Sequence, residues 1–166
     1  MMHYEGAAWV DRTTSADAGN MIVCGSVSSL SPFALMVTPK PFTTLSASVD
    51  LQQHKGNISV HASFTLGPGS NGVAPASEGL LDQAAAWSVF IPAGSFAQSG
   101  KSGPYHFSGT IAGAQVDATL NGHNTGRWDF DLSADNAPET LPDPTLLTIT
   151  LGDDRGGISV HPVIHH

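Results

Sequence analysis

Apolar and polar residues alternate along most of the chain from residue 45 onward, and a period of two is the signature of strands with one buried face. Leu45, Ala47, Val49 and Leu51 alternate with Ser46, Ser48 and Asp50. After the turn QHKGN, the residues Ile58, Val60, Ala62, Phe64 and Leu66 share one phase, and Ser59, His61, Ser63 and Thr65 the other. These two runs predict a β-hairpin. Trp87, Val89 and Ile91 predict a strand closed by Pro92 and Gly94, and Tyr105, Phe107 and Ile111 another around Gly109. Val116, Ala118 and Leu120 pair across NGHNTG with Trp128, Phe130 and Leu132, while Leu147, Ile149 and Leu151 return through GDDRGG to Ile158, Val160 and Ile164. The expectation is an all-β fold, an antiparallel β-sandwich of hairpins over residues 42–166.

Two stretches break the alternation. Residues 67–83, GPGSNGVAPASEGLLDQ, read as a surface loop or sheet crossover with at most one helical turn near Leu80. Their GPGSNG fits the GxGxxG template, yet no βαβ pattern follows, which argues against a dinucleotide site. Residues 133–145, SADNAPETLPDPT, form a second, Pro-rich connection. The first forty residues predict two or three short strands with turns at Glu5-Gly6 and Ala18-Gly19-Asn20, followed by a linker over residues 38–41 that contains PKP.

Composition supports a globular chain with many turns: among 166 residues 40% are hydrophobic, and there are 18 Gly and 11 Pro. Only 6 basic residues face 14 acidic ones, for a net charge of −8. That balance argues against nucleic acid, which needs clustered Lys or Arg for counterion release. No apolar run approaches the roughly 18 residues needed to span a bilayer, and this chain opens without the charged and apolar regions of a signal peptide. Cys24 stands alone, so neither a disulfide framework nor a CxxC motif exists, and a buried strand thiol is the expectation.

HKGNISVH at residues 54–61 returns as DRGGISVH at 154–161. Both copies are expected to start the second strand of a hairpin, with Ile and Val inward and Ser and His outward. His61 and His161 then occupy an exposed phase that His106 shares. Convergence of the three on a metal needs all of them on one sheet, which periodicity does not decide.

The carboxylates carry more information. Asp117 lies on one strand of a predicted hairpin, Asp129 and Asp131 on the other, all in the outward phase, so that parity sets Asp117 opposite or diagonal to both. Like charges across strands repel by up to roughly 1 kcal/mol. Either water and Arg127 screen the three, or a hard cation sits among them, and calcium suits oxygen-only ligands. Asp153 and Asp154, expected in the last hairpin turn, form a rival calcium site, although Asp favours such turns on conformational grounds alone.

Residues 3–35, HYEGAAWVDRTTSADAGNMIVCGSVSSLSPFAL, resemble the closing segment of an immunoglobulin-like β-module found in secreted and surface-exposed multidomain proteins of bacteria. The matching pattern runs His-Tyr-Glu, Trp-Val-Asp, Thr-Thr-Ser, Val-Cys-Gly and Ser-Leu-Ser-Pro-Phe. In that family the segment follows earlier strands that are missing here, so the resemblance implies that residues 1–37 are the remnant of a truncated domain. IPAGSF at 91–96, YHFSGTI at 105–111 and LTITLGDDRGG at 147–157 are similar to small tandem β-modules of the same kind of protein. The likeness implies a secreted or cell-surface parent protein, an extracellular β-sandwich and no catalytic residues.

No serine has Gly at both −2 and +2, and no HExxH occurs, so neither a nucleophile elbow nor a zinc helix is present. The leading expectation is a non-catalytic secreted bacterial module with a structural or adhesive role, able to self-associate through its N-terminal remnant. The alternative is a small calcium-dependent hydrolase of esters or lactones, its metal polarising a carbonyl or activating water. A carbohydrate-binding module is a third reading, one that requires an exposed platform of Trp9, Trp87 and Trp128, whereas Trp87 and Trp128 fall in the inward phase.

Overall fold

Between Thr38 and Pro39 the computed structural model divides into two units. The structure describes residues 1–5, 7–17, 22–28, 33–34 and 39–166. In the first unit the strands are β1 (Met2–Glu5), β2 (Ala8–Asp11), β3 (Thr13–Asp17), β4 (Ile22–Gly25) and β5 (Phe33–Ala34). They form a three-stranded sheet in the order β2-β1-β5 and a separate β3-β4 ribbon. The turn expected at Ala18-Gly19-Asn20 lies outside the described residues, as does Gly6. Cys24 corrects its expectation: it is exposed rather than buried. Its strand belongs to a two-stranded ribbon, which has little interior to offer a side chain.

The second unit contains β6 (Lys40–Pro41), β7 (Thr44–Gln52), β8 (Asn57–Thr65), β9 (Leu80–Ala84), β10 (Trp87–Ile91), β11 (Ala97–Gln98), β12 (Tyr105–Ile111), β13 (Ala114–Gly122), β14 (Arg127–Ala134), β15 (Thr145–Leu151), β16 (Asp154–Val160) and β17 (Val163–His165). Two sheets arise, a seven-stranded one in the order β11-β12-β13-β14-β8-β7-β17 and a five-stranded one in the order β10-β9-β15-β16-β6. Their inner faces meet in one core that includes Val49, Ile58, Val60, Phe64, Leu120, Phe130, Leu132, Ile91, Leu147 and Ile149. The all-β sandwich and the phase of each alternating run stand as the periodicity predicts. Alternation works here because each sheet buries one face and wets the other.

Four details differ from expectation. Residues 80–83, assigned to a loop, belong to strand β9, with Leu80, Asp82 and Ala84 inward; an aspartate at the central inward position hides the period. The last hairpin turns on Gly152 and Asp153 alone, since Leu151 pairs with Asp154, and Asp154 is already a buried strand residue. Residues 40 and 41, expected in a linker, pair with β16 in parallel. Finally, the chain does not continue β16 through Ile164: it leaves at His161-Pro162 and crosses to the other sheet, where β17 pairs in parallel with β7.

The two copies of the repeated motif use the same glycine differently. Gly56 closes a 3₁₀ turn with φ of 62°, a left-handed conformation that Gly adopts without steric cost. Gly156 sits within β16, where a Cβ would come within 2.3 Å of the Phe42 ring. One glycine supplies conformation and the other space.

Candidate functional site

The outward residues of β12, β13, β14, β8 and β7 form a continuous polar face, because the strands are neighbours in that order and keep phase. Reading across it, His106 pairs with Thr119, Thr119 with Asp131, Asp131 with His61, and His61 with Ser48. The next row holds Ser108, Asp117, Ser133, Ser59 and Asp50, and another holds Asn121, Asp129, Ser63 and Ser46. An open depression of about 500 Å³ lies over Ser46, Ser48, His61, Ser63, Asp129 and Asp131. A smaller one of about 210 Å³ over Ser59, His61, Asp117, Thr119 and Asp131 adjoins it.

This register revises the aspartate ladder. Asp117 stands opposite Ser133 and is diagonal to Asp131, but Asp129 is one step further along, opposite Asn121. Parity fixed the common face and overestimated the proximity. Each of the other two acids holds a basic partner. Asp131 Oδ1 lies 2.6 Å from His61 Nδ1. Asp129 lies 2.6 Å from His123 Nε2 and accepts from Arg127 Nε at 3.0 Å and from an Arg127 terminal nitrogen at 2.8 Å. Partial burial opposes ionisation of Asp129, but the bonds from His123, Arg127 and Ser63 outweigh it and hold the carboxyl below 3.8.

Replacing Asp129 by Asn is therefore expected to lower stability at pH 7, by at most about 1 kcal/mol for so exposed a cluster. A depressed folded-state pKa contributes stability above the unfolded value and loses it as pH falls through the folded value. The difference between wild type and Asp129→Asn in a denaturant melt should thus shrink toward zero as pH falls below 3.8.

The three histidines do not converge. His61 and His106 share the seven-stranded sheet with β13 and β14 between their strands, and His106 bonds Thr119 Oγ1 at 3.1 Å. His161 follows β16 of the other sheet and pairs with Asp143 at 2.6 Å. Among the described residues no group of three or more His, Cys, Asp or Glu is arranged to hold a metal ion. Trp87 and Trp128 pack against the core as their phase predicts. Trp9 is exposed and meets Tyr4 edge-on at 5.3 Å.

Asp153 and Asp154 hold different partners. Asp153 Oδ2 lies 2.7 Å from Lys40 Nζ. Asp154, fully buried, accepts from Ser70 Oγ at 2.8 Å. Each keeps a buried Oδ1 without a hydrogen-bond partner. In the first unit Glu5 joins the buried His3, at 2.6 Å, to Arg12, whose Nε and terminal nitrogen lie at 3.0 and 2.6 Å. Arg12 first and His3 second lower the Glu5 pKa to about 2.

One group escaped sequence reasoning altogether. Asp82 is fully buried on the inner face of the five-stranded sheet, beside Val89 on β10 and Ile149 on β15. Neither carboxyl oxygen has a hydrogen-bond partner. Burial pushes its pKa up to about 7; the nearby backbone N–H of Gln83 opposes this without reaching hydrogen-bonding geometry. Comparison of the chain with models of known protein families, with curated proteins and with solved structures finds no match.

Proposed function

We propose that this chain is a non-catalytic β-sandwich module that binds through the outer face of its seven-stranded sheet, in a structural or adhesive role within a secreted bacterial protein. The observation that carries this reading is the face itself, five adjacent strands of Ser, Thr, His, Asn and Asp side chains in register, with open depressions in place of a closed cleft. Hydroxyls, imidazoles and carboxylates suit a partner that offers amines and hydroxyls, and the net charge of −8 favours the same chemistry. An aminoglycan such as chitosan combines both groups.

The wild-type chain is expected to be retained on immobilised chitosan, and the double variant Asp117→Lys with Asp131→Lys to pass through while keeping its melting temperature within a few degrees. Equal retention of both proteins would exclude this face as the binding surface. Calcium belongs to the proposal at Asp153 and Asp154, each of which keeps a buried Oδ1 without a hydrogen-bond partner; titration of the thermal melt with calcium is its check.

Hydrolysis of small esters or lactones is the second reading, and one observation favours it. Ser48, His61 and Asp131 stand in register on three adjacent strands, with His61 Nδ1 at 2.6 Å from Asp131. Such a row has the order of a serine nucleophile, its base and the base's orienting acid. The neighbouring backbone N–H groups are engaged in the sheet, however, which leaves this row without the paired donors that stabilise an oxyanion. Turnover of p-nitrophenyl acetate lost in both Ser48→Ala and His61→Ala would establish this reading over the first.

A further inference from the structure

At the edge of the five-stranded sheet, three segments bring an amine, a primary amide and a carboxylate together. Lys40 on β6 donates from Nζ to Asn71 Oδ1 at 2.8 Å, and the same nitrogen lies 2.7 Å from Asp153 Oδ2. The arrangement is fixed on every side. The backbone N–H of Lys40 donates to the carbonyl of Asp153 at 2.7 Å, and the parallel register sets Lys40 beside Asp154. Ser70 donates to the buried Asp154 at 2.8 Å and accepts from Gly72 N–H at 3.1 Å, so the residues flanking Asn71 are tied down. Lys40 and Asp153 are 29% and 25% exposed, partly withdrawn from water.

From this geometry we infer that Lys40 and Asn71 form an intramolecular isopeptide bond, with Asp153 as the proton carrier. A carbonyl bond is about 1.23 Å long, which leaves Cγ of Asn71 within about 4 Å of the amine. The Lys40 ammonium passes a proton to Asp153 Oδ2, and the neutral nitrogen attacks Cγ while the carbonyl electron pair moves onto Oδ1. Asp153 gives that proton to Nδ2. The carbonyl re-forms as the Cγ–Nδ2 bond breaks, and the departing ammonia takes the second proton from the new amide nitrogen and leaves as ammonium. Atoms and charge balance, Asp153 is regenerated, and no outside reactant is consumed. Holding the reactants in place supplies what a bimolecular reaction between a free amine and a free amide lacks.

The test is the intact mass of the purified full chain, followed by peptide mapping. Wild type is expected about 17 Da below the mass of its sequence, the mass of one ammonia, and the Lys40→Arg and Asn71→Ala variants at full mass. Asn71 is an exposed loop residue, so its replacement leaves the sheet intact. Digestion should release the Lys40 and Asn71 peptides as one branched species, more slowly formed in Ser70→Ala. Full mass in folded wild type, after prolonged incubation, would overturn the inference. A deficit of about 18 Da would also overturn it, because loss of water means a bond from Lys40 to Asp153.

Discussion

Asp82→Val is expected to raise the melting temperature at pH 8 by roughly 10 °C, given a few degrees per kcal/mol for a chain of this size. The wild-type carboxyl is buried between Val89 and Ile149 with no hydrogen bond to either oxygen, and burial raises its pKa from 3.8 to about 7. A raised folded-state value means that folding favours the protonated acid. The protein is therefore most stable below pH 3.8 with respect to this group and loses stability as pH rises to about 7. That interval converts to roughly 4 kcal/mol. Valine removes the ionisable group and suits a strand, so its gain should be large at pH 8 and small at pH 4. Its cross-strand neighbours Val89 and Ile149 carry no titratable group, so the pH difference reports on Asp82 itself. Equal gains at both pH values, or none, would show that the carboxyl is not buried as an unpartnered acid.

Gly156→Ala carries the second large effect, in the opposite direction. The added Cβ would lie 2.3 Å from Phe42 Cδ2 and 3.1 Å from Leu45 Cδ2. Phe42 cannot give way freely, because its ring stacks on the buried Phe64 at 4.3 Å and 11°. Overpacking of this kind costs about 1–3 kcal/mol. In a Phe42→Ala background the same substitution should cost almost nothing, and a double-mutant cycle by urea denaturation measures the coupling. Gly56→Ala, at the matching position of the motif, should cost about 1 kcal/mol from its left-handed φ alone, with no rescue by Phe42→Ala. If the Phe42 background leaves the cost of Gly156→Ala unchanged, contact with that ring is not what demands glycine.

These cases mark how far the sequence speaks. Leu45 to Leu51 and Ile58 to Phe64 declare their inward phase because side chains alternate strictly, and the hairpin between them is local. The face carrying His61, Asp117, Asp129 and Asp131 was legible for that reason. Which strands lie side by side was not. His61 meets Asp131 only because β8 and β14 are neighbours, and that depends on the order in which the sheet is assembled, which no period encodes. Asp82 misled in the other direction: a charged residue at an inward position breaks the alternation, so the strand and its buried acid were lost together. Lys40 and Asn71 belong to stretches read as linker and loop, and both are brought to β16, Lys40 by a parallel strand two residues long and the neighbour of Asn71 by the bond from Ser70 to Asp154.

The first and last strands of the second unit behave alike. β6 leads into β7 and β16 into β17, each pair passing from the five-stranded sheet to the seven-stranded one, with β6 parallel to β16 and β17 parallel to β7. Tension applied between residues 39 and 166 would draw β7 back from its start and β17 forward from its end, so their hydrogen bonds are strained along the strand axis and resist together. An antiparallel pair pulled at one end opens like a zip, one bond after another. The parallel seams therefore make this unit mechanically stiff along the line between residues 39 and 166.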